Sequence, residues 1–464
     1  MSTHDEPPVA DRRAVEALLG RPAAGRFRVV VRRASGGPVV IEDEPHLRDG
    51  TPMPTLYWLV DRELVEAVSR LEGAGGVHRF ETLVDVDALA ATHARYAARR
   101  AARARRSDRP QPQGGVGGTR VGVKCLHAHL ANYLAGDDDP VGVLVAREVG
   151  ATALRRPAVA GEPAAVVDCG SNSTRLLLVD GEGHAQRREM RITRLAAGVD
   201  AAGRLAPEAL ERTARVLTDY RTWRDEARVT QGLVVATSAV RDAANRDDFI
   251  AMATERTGLP VRVLTGVEEA GFSYRGATAG LPAGGDPPLV VDVGGGSTEL
   301  ALTWDGALHA ASLQLGCVRV TERAIGTGVL SAAARASAES LIDETLRDAL
   351  SDPVWDAAVG RVQVVGLAGT VATLAQLHAG QSAYVREAVH HQRLGADVVD
   401  EWIERLGAEE PAQRLSHAGM VAGREDVLVA GLLVLRAVLA RFGARDLITS
   451  EDDILDGVAA WLVT

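Results

Sequence analysis

Short apolar runs alternate with longer stretches of helical periodicity along most of this chain. Valine-rich runs are predicted as strands over 27–31, 39–41, 56–60, 229–237, 261–264, 362–367 and 446–449. Helical spacing is predicted over 61–71, with Asp61 as its cap, and over 87–106, 121–134, 206–223, 245–257, 268–279, 332–350, 426–442 and 454–462. Two places break this alternation in the same way. Ala164-Ala165-Val166-Val167 and Pro288-Leu289-Val290-Val291 each reach an aspartate, cross small polar residues and resume as apolar runs at 176–179 and 300–302. That pattern predicts strand, tight turn, strand, twice. A third glycine/threonine turn, Ala368-Gly369-Thr370, opens a helix. Strand/helix alternation with two such starts predicts an α/β fold of two similar domains around a cleft. The expected division is a small α+β unit over 1–149, a linker over 150–163, and domains over 164–281 and 282–464. The last helix is expected to pack back on the first of these domains.

The repeated turns carry the candidate chemistry. The first reads Asp168-Cys169-Gly170-Ser171-Asn172-Ser173-Thr174, and the second Asp292-Val293-Gly294-Gly295-Gly296-Ser297-Thr298-Glu299. Glycine lets backbone approach a ligand, and successive amides with hydroxyls form an anion-binding concavity. An aspartate at each strand end suits Mg²⁺, directly or through water. Facing each other, the two turns would clamp a phosphate chain. Composition narrows the setting. The 464 residues are 46% hydrophobic and 25% charged, as in a soluble globular protein, and the net charge of -10 argues against a bulk-electrostatic nucleic-acid binder. Three scattered cysteines, a polar acidic start and the lack of any run of about 20 apolar residues lead to the expectation of a cytoplasmic protein without a membrane span.

Gly266-Val267-Glu268-Glu269-Ala270-Gly271 places paired carboxylates at a helix start, where they also complement the helix dipole. Together with Ala236-Thr237-Ser238-Ala239-Val240-Arg241-Asp242, the 198–205 stretch, Leu315-Gly316-Cys317-Val318-Arg319 and both turns, this set resembles the exopolyphosphatase/guanosine pentaphosphate phosphohydrolase family. That family lies within the actin-like, sugar-kinase and heat-shock-protein superfamily, and the likeness runs from about residue 165 onward. The resemblance implies two actin-like (ribonuclease H-like) domains and removal of terminal orthophosphate from inorganic polyphosphate, with guanosine pentaphosphate as a second candidate. It implies Glu269 as catalytic base and Arg241 as the charge that offsets the transferring group. It implies Asp292, Glu299 and Asp168 around Mg²⁺ or another divalent cation such as Mn²⁺. The substrate cradle would comprise Ser171, Asn172, Ser173 and Thr174 with Gly294, Gly295, Gly296, Ser297 and Thr298. Structural roles compete at several positions: Arg241 pairing with Asp242 or Asp247, Arg319 with Glu322, and Thr370 as a helix cap. The 450–454 stretch departs from the family's Ser-Asp-x-Gly-Leu. The chain resembles the family's short form. Two other classes stay open, a phosphotransferase of the same superfold and a non-catalytic polyphosphate or alarmone sensor. Partners beyond the substrate reduce to a homodimer, which the sequence leaves open.

The N-terminal segment resembles a domain family of unknown function, through the 49–59 and 115–129 stretches. Members carry cysteines near positions where this chain has Ala34, Ser35, Val60 and Asp61. Cys125, His127 and His129 have ligand chemistry, but alternate helical positions diverge by about 200° and no fourth ligand is evident, so packing or anion contact is the expectation. The chain's one lysine, Lys124, adjoins them. Arg95, Arg99, Arg100, Arg103, Arg105, Arg106 and Arg109 suggest either a positive track for a polyanion or a solvated helix.

Overall fold

The computed structural model describes residues 6–33, 36–47, 49–53, 55–104, 110, 112–119, 121–282, 284–381 and 383–464. The chain divides into two compact units, Met1–Glu162 with Leu462–Thr464, and Pro163–Trp461.

In the first unit β1 (Phe27–Arg32), β2 (Pro38–Asp43) and β3 (Tyr57–Leu59) form an antiparallel sheet in that order. Its face packs on the helices Arg62–Gly73, Val86–Arg103, Leu126–Leu134 and Pro140–Glu148, with Val39, Val40, Tyr57, Tyr96, Leu126 and Leu130 in the core. Asp61 caps its helix as expected, accepting from the Leu64 amide. The helix expected over 121–134 starts only at Leu126. Cys125 is extended (φ -153°, ψ 122°), and Glu72 accepts from the Leu126 amide at 2.6 Å, supplying the cap from another helix.

Where it is described, the arginine stretch turns largely inward, although Arg95 keeps much of its side chain exposed. Arg99 bonds Asp137 at 2.9 Å, Arg95 bonds the same carboxylate at 3.0 Å, Arg103 bonds Glu42, and Arg100 is fully buried against the Gly114 carbonyl. Buried acids on neighbouring elements recruit these guanidinium groups inward. Arg105, Arg106 and Arg109 lie outside the described residues, as do Ala34 and Ser35.

The second unit holds two sheets among the described residues. The first contains β4 (Ala164–Cys169), β5 (Ser173–Val179), β6 (Ala185–Ile192), β7 (Gln231–Ala236) and β8 (Val261–Val263), ordered β6-β5-β4-β7-β8. The second contains β9 (Pro288–Val293), β10 (Thr298–Trp304), β11 (Ala307–Leu313), β12 (Gln363–Leu367), β13 (Arg393–Gly395) and β14 (Asp446–Thr449), ordered β11-β10-β9-β12-β14-β13. The plan is duplicated: β4 and β9 each pair antiparallel with the strand that follows and parallel with β7 or β12. Even the register repeats, with Asp168 opposite Arg175 and Asp292 opposite Glu299. The central strands are apolar on both faces because helices cover both. Val167, Leu176, Tyr220 and Phe249 fill one half, and Leu300, Ile342, Leu432 and Phe442 the other.

The last helix, Ile454–Val463, meets the Gly266–Thr278 helix, with Phe272 and Trp461 rings 5.6 Å apart. Among the described residues no helix is long and apolar enough to cross a membrane.

Candidate active site

Matching register puts Asp168 and Asp292 at equivalent ends of β4 and β9, so the turns that follow them meet. Each turn closes identically, Gly170 N–H donating to the Ser173 carbonyl and Gly294 N–H to the Ser297 carbonyl, both at 3.0 Å. A Cβ on Gly295 would stand 2.8 Å from Ser171 Cβ and 3.1 Å from the Asn172 amide nitrogen. The second turn therefore needs glycine to approach the first. Ser171 Oγ lies 2.9 Å from Ser238 Oγ, which ties its turn to the helix after β7.

The cleft between the turns is lined by Asp168, Ser171, Asn172 and Ser173 from one side and Asp292, Gly294, Gly295 and Ser297 from the other. Glu269 enters from the Gly266–Thr278 helix, and Arg175, Ala368, Gly369 and Arg424 complete the walls. The paired glutamates have divided their work. Glu268 forms a capping box with Thr265, which starts the helix, and this sets Glu269 one position on, turned inward and buried.

Glu269 Oε2 accepts from Arg241 Nη1 at 3.0 Å, and the same nitrogen donates to the Leu264 carbonyl at 3.0 Å. Arg241 thus reaches the site through Glu269 and does not itself line the cleft; its bond to Asp242 is long, at 4.0 Å. Glu299 lies behind the lining, fully buried, with Ser312 donating to Oε1 at 2.7 Å. Gly296 faces a neighbouring recess. Thr174 and Thr298 occupy matching strand starts, and their hydroxyls are committed inward, to Thr193 Oγ1 at 3.0 Å and to the Leu315 carbonyl. The period-two alternation of a strand turns both away from the cleft that Ser173 and Ser297 face. Thr370 is buried within its helix, its hydroxyl reaching the Val293 carbonyl, while Arg319 pairs with Asp242 at 2.7 Å in place of Glu322.

Four buried carboxylates crowd one place, and their proton affinities record it. Burial, then the charge of Glu299, raises Glu269 well above the usual carboxylate range. Burial and the charge of Asp292 push Glu299 up to about 8. Asp292 is pushed up to about 6 by burial, although Arg175 and a 2.8 Å bond from Ser273 pull it down. Burial likewise raises Asp168, against the opposing pull of Arg175 at 2.7 Å.

Two polar atoms on the lining are buried with no partner: Asp168 Oδ1, an acceptor, and Asn172 Nδ2, a donor. An unpaired carboxylate oxygen among hard oxygen ligands fits a divalent cation. Among the described residues no three carboxylates here bring ligand atoms within 4.8 Å of one another, so an ion held by one or two carboxylates with water and phosphate oxygens would fit.

Sequence reasoning missed Arg175, Ser273, Asp453 and Arg424. Aligning the two repeats exposes the first, since Arg175 occupies the position of Glu299. Arg175 links Asp168 to Asp453, which gives the unusual 450–454 stretch a role. Arg424 belongs to no motif; it is buried against Gly369 and has no carboxylate partner among the described residues. Ala368, beside it, has a left-handed backbone (φ 67°), a strain typical of functional turns.

The Ppx/GppA phosphatase family model matches residues 178–461, and a family described as "Protein of unknown function (DUF501)" matches 29–147. Exopolyphosphatase 2 of Mycobacterium tuberculosis is 42% identical over 312 residues, 64% of this chain and 97% of that protein. The crystal structure of an exopolyphosphatase-like protein superposes with a TM-score of 0.60 at 31% identity, over 64% of this chain and 98% of the other. A Ppx/GppA family member from Aquifex aeolicus gives 0.53 at 27%, over 64% and 96%.

Proposed function

The chain belongs to the Ppx/GppA phosphatase family, and from that premise we propose that its cleft removes terminal orthophosphate from inorganic polyphosphate. The observation that carries the reading is the pair of unpaired buried atoms facing one cleft, an acceptor (Asp168 Oδ1) and a donor (Asn172 Nδ2). A phosphate accompanied by a divalent cation satisfies both at once. An adjoining cavity of about 430 Å³ shares Arg175, Gly369 and Arg424 with the cleft and adds Arg188 and Tyr384 alongside the carboxylates of Glu189, Glu451 and Asp453, giving room for further phosphates of a chain.

In this reading the terminal phosphate rests on the 294–297 backbone with Ser171, Asn172, Ser173 and Ser297. Asp292 and Asp168 would hold Mg²⁺ or Mn²⁺, with Glu299 behind them. The ion would spread the charge of the transferring group and lower the repulsion among the carboxylates. Glu269 orients the attacking water and takes its proton, burial and the charge of Glu299 having raised its proton affinity. Arg241 positions Glu269 through the 3.0 Å bond and offsets charge from behind it. Three unpaired cysteines support a reducing compartment such as the cytoplasm.

The test is orthophosphate release with Mg²⁺ from short and long polyphosphate, guanosine pentaphosphate and ATP, with Glu269→Gln alongside. Turnover of polyphosphate should fall at least about 100-fold in the variant, with polyphosphate binding retained. Equal turnover in both proteins refutes the assignment of Glu269. Absent release by the wild type, with binding intact, favours a sensor.

A further inference from the structure

Three side chains of ligand chemistry converge in the N-terminal unit. Among the described residues, Glu72, Cys125 and His127 are the one such group of three whose ligand atoms all lie within 4.8 Å of one another. The divergence expected of alternate helical positions does not apply, because Cys125 is extended and precedes the helix. Its Sγ lies 3.8 Å from His127 Nδ1. His129 instead turns into the core and meets Asp139 at 2.9 Å. Glu72, from the Arg62–Gly73 helix, takes the third place, its Oε1 3.2 Å from the same Nδ1.

We propose that Glu72, Cys125 and His127 bind one Zn²⁺ ion, with the fourth position left to solvent. Tetrahedral zinc with ordinary bond lengths sets sulfur and nitrogen about 3.6 Å apart and nitrogen and oxygen about 3.3 Å apart. The observed separations are 3.8 and 3.2 Å. The second ring nitrogen supports the same assignment. His127 Nε2 lies 3.1 Å from the Val65 carbonyl, an acceptor only, so Nε2 carries the hydrogen. Nδ1 faces both the thiol sulfur and the carboxylate oxygen, so a proton shared among these three atoms is what an ion at that point would displace. A histidine ligand oriented by a backbone carbonyl on its far nitrogen is the usual support of a metal site. A cysteine nucleophile would be built otherwise, with sulfur and carboxylate on opposite ring nitrogens. Leu126 N–H fixes Glu72 Oε1 at 2.6 Å, and all three side chains are half-buried, so an ion and a water have access.

Cys169 and Cys317 are buried, so thiol chemistry on the folded chain reads Cys125 alone. The full-length protein is stripped with EDTA, and its reaction with Ellman's reagent is timed with and without equimolar ZnCl₂. One thiol should react quickly in EDTA, and zinc should slow it at least tenfold. In Glu72→Gln, which keeps an acceptor for the Leu126 amide, and in His127→Gln, that protection should disappear while the thiol stays reactive. Co²⁺ should give a near-ultraviolet thiolate charge-transfer band that Cys125→Ser abolishes. An unchanged rate with zinc, protection that survives in Glu72→Gln, or a cobalt band that survives in Cys125→Ser overturns the proposal. The readouts see no event in the phosphatase cleft, so catalytic failure there leaves them intact.

Discussion

Replacing Glu299 by Gln removes one titratable group from the carboxylate cluster and keeps an oxygen to accept from Ser312. In the folded protein this carboxyl is pushed up to about 8, by burial first and then by Asp292. Unfolded, it titrates near its ordinary 4.5. A group with a raised folded pKa binds more protons when folded, so its contribution is complete below pH 4.5 and is lost as pH rises through 8. The gap corresponds to on the order of 5 kcal/mol over the whole range, and to about 4 kcal/mol between pH 5 and 8.5. Glu269 shares the same field, so part of that figure belongs to both groups. Urea unfolding of metal-free wild type and Glu299→Gln at pH 5 and 8.5 measures the effect. The variant's stability relative to wild type should improve by about 2–4 kcal/mol on going to the higher pH. Added Mg²⁺ at pH 8.5 should stabilise wild type more than the variant. Parallel pH dependence of the two proteins, within about 0.5 kcal/mol, refutes the claim that this carboxylate is strained by its neighbours.

Arg175→Met leaves Asp168 and Asp453 buried without their shared cation, so chemical unfolding should show a loss of about 3–5 kcal/mol; a change under about 1 kcal/mol contradicts that pairing. Gly295→Ala drives a methyl into Ser171 and the Asn172 backbone and should lower both Tm and kcat/KM, the latter more than about tenfold, whereas unaltered kinetics would mean the turns need no close approach. Thr265→Ala deletes the capping box before Glu269 and should cost about 1 kcal/mol in a denaturation series, with no loss if the cap is idle. Arg424→Gln should raise KM for polyphosphate and flatten its dependence on salt; an identical salt profile removes Arg424 from the substrate path.

The strands that hold the site were legible because burial on both faces leaves an unmistakable apolar run. β4 and β9 announce themselves, and so do the aspartates that end them. The edge strands β6, β11 and β13 did not, whereas β1, β3 and β8 carry enough valine, leucine or aromatic residues to be read. β6, Ala185–Ile192, is polar along most of its length, and its first two residues are exposed. It forms because β5 offers unpaired backbone, a cause that lies outside its own residues. The same limit governs the site. The repeated turns marked both aspartates and the family resemblance marked Glu269, but equivalence within a motif does not fix which way a side chain points. Ser173 and Thr174 are neighbours in one turn, yet only Ser173 reaches the cleft. Arg424 and Glu72 come from unremarkable stretches and acquire meaning only from what folding sets beside them.

Charge is managed differently in the two units, and the contrast bears on how the cleft binds. In the N-terminal unit arginines close on buried acids: Arg95 and Arg99 on Asp137, Arg103 on Glu42. Each of those acids meets a guanidinium at hydrogen-bond distance. In the cleft the balance is left open in both directions. Asp168 Oδ1 lacks a donor, Asn172 Nδ2 lacks an acceptor, and Arg424 has no carboxylate partner among the described residues. Phosphate alone would meet Arg424 and Asn172 but also face the Asp168, Asp292 and Glu269 carboxylates. A cation alone would relieve the acids and leave the donors unmet. Each ligand therefore removes the principal cost of binding the other, and by linkage the enhancement must be the same in either order. A cleft built this way would select the metal–phosphate complex over either component, the ground state from which a metal-assisted hydrolase starts.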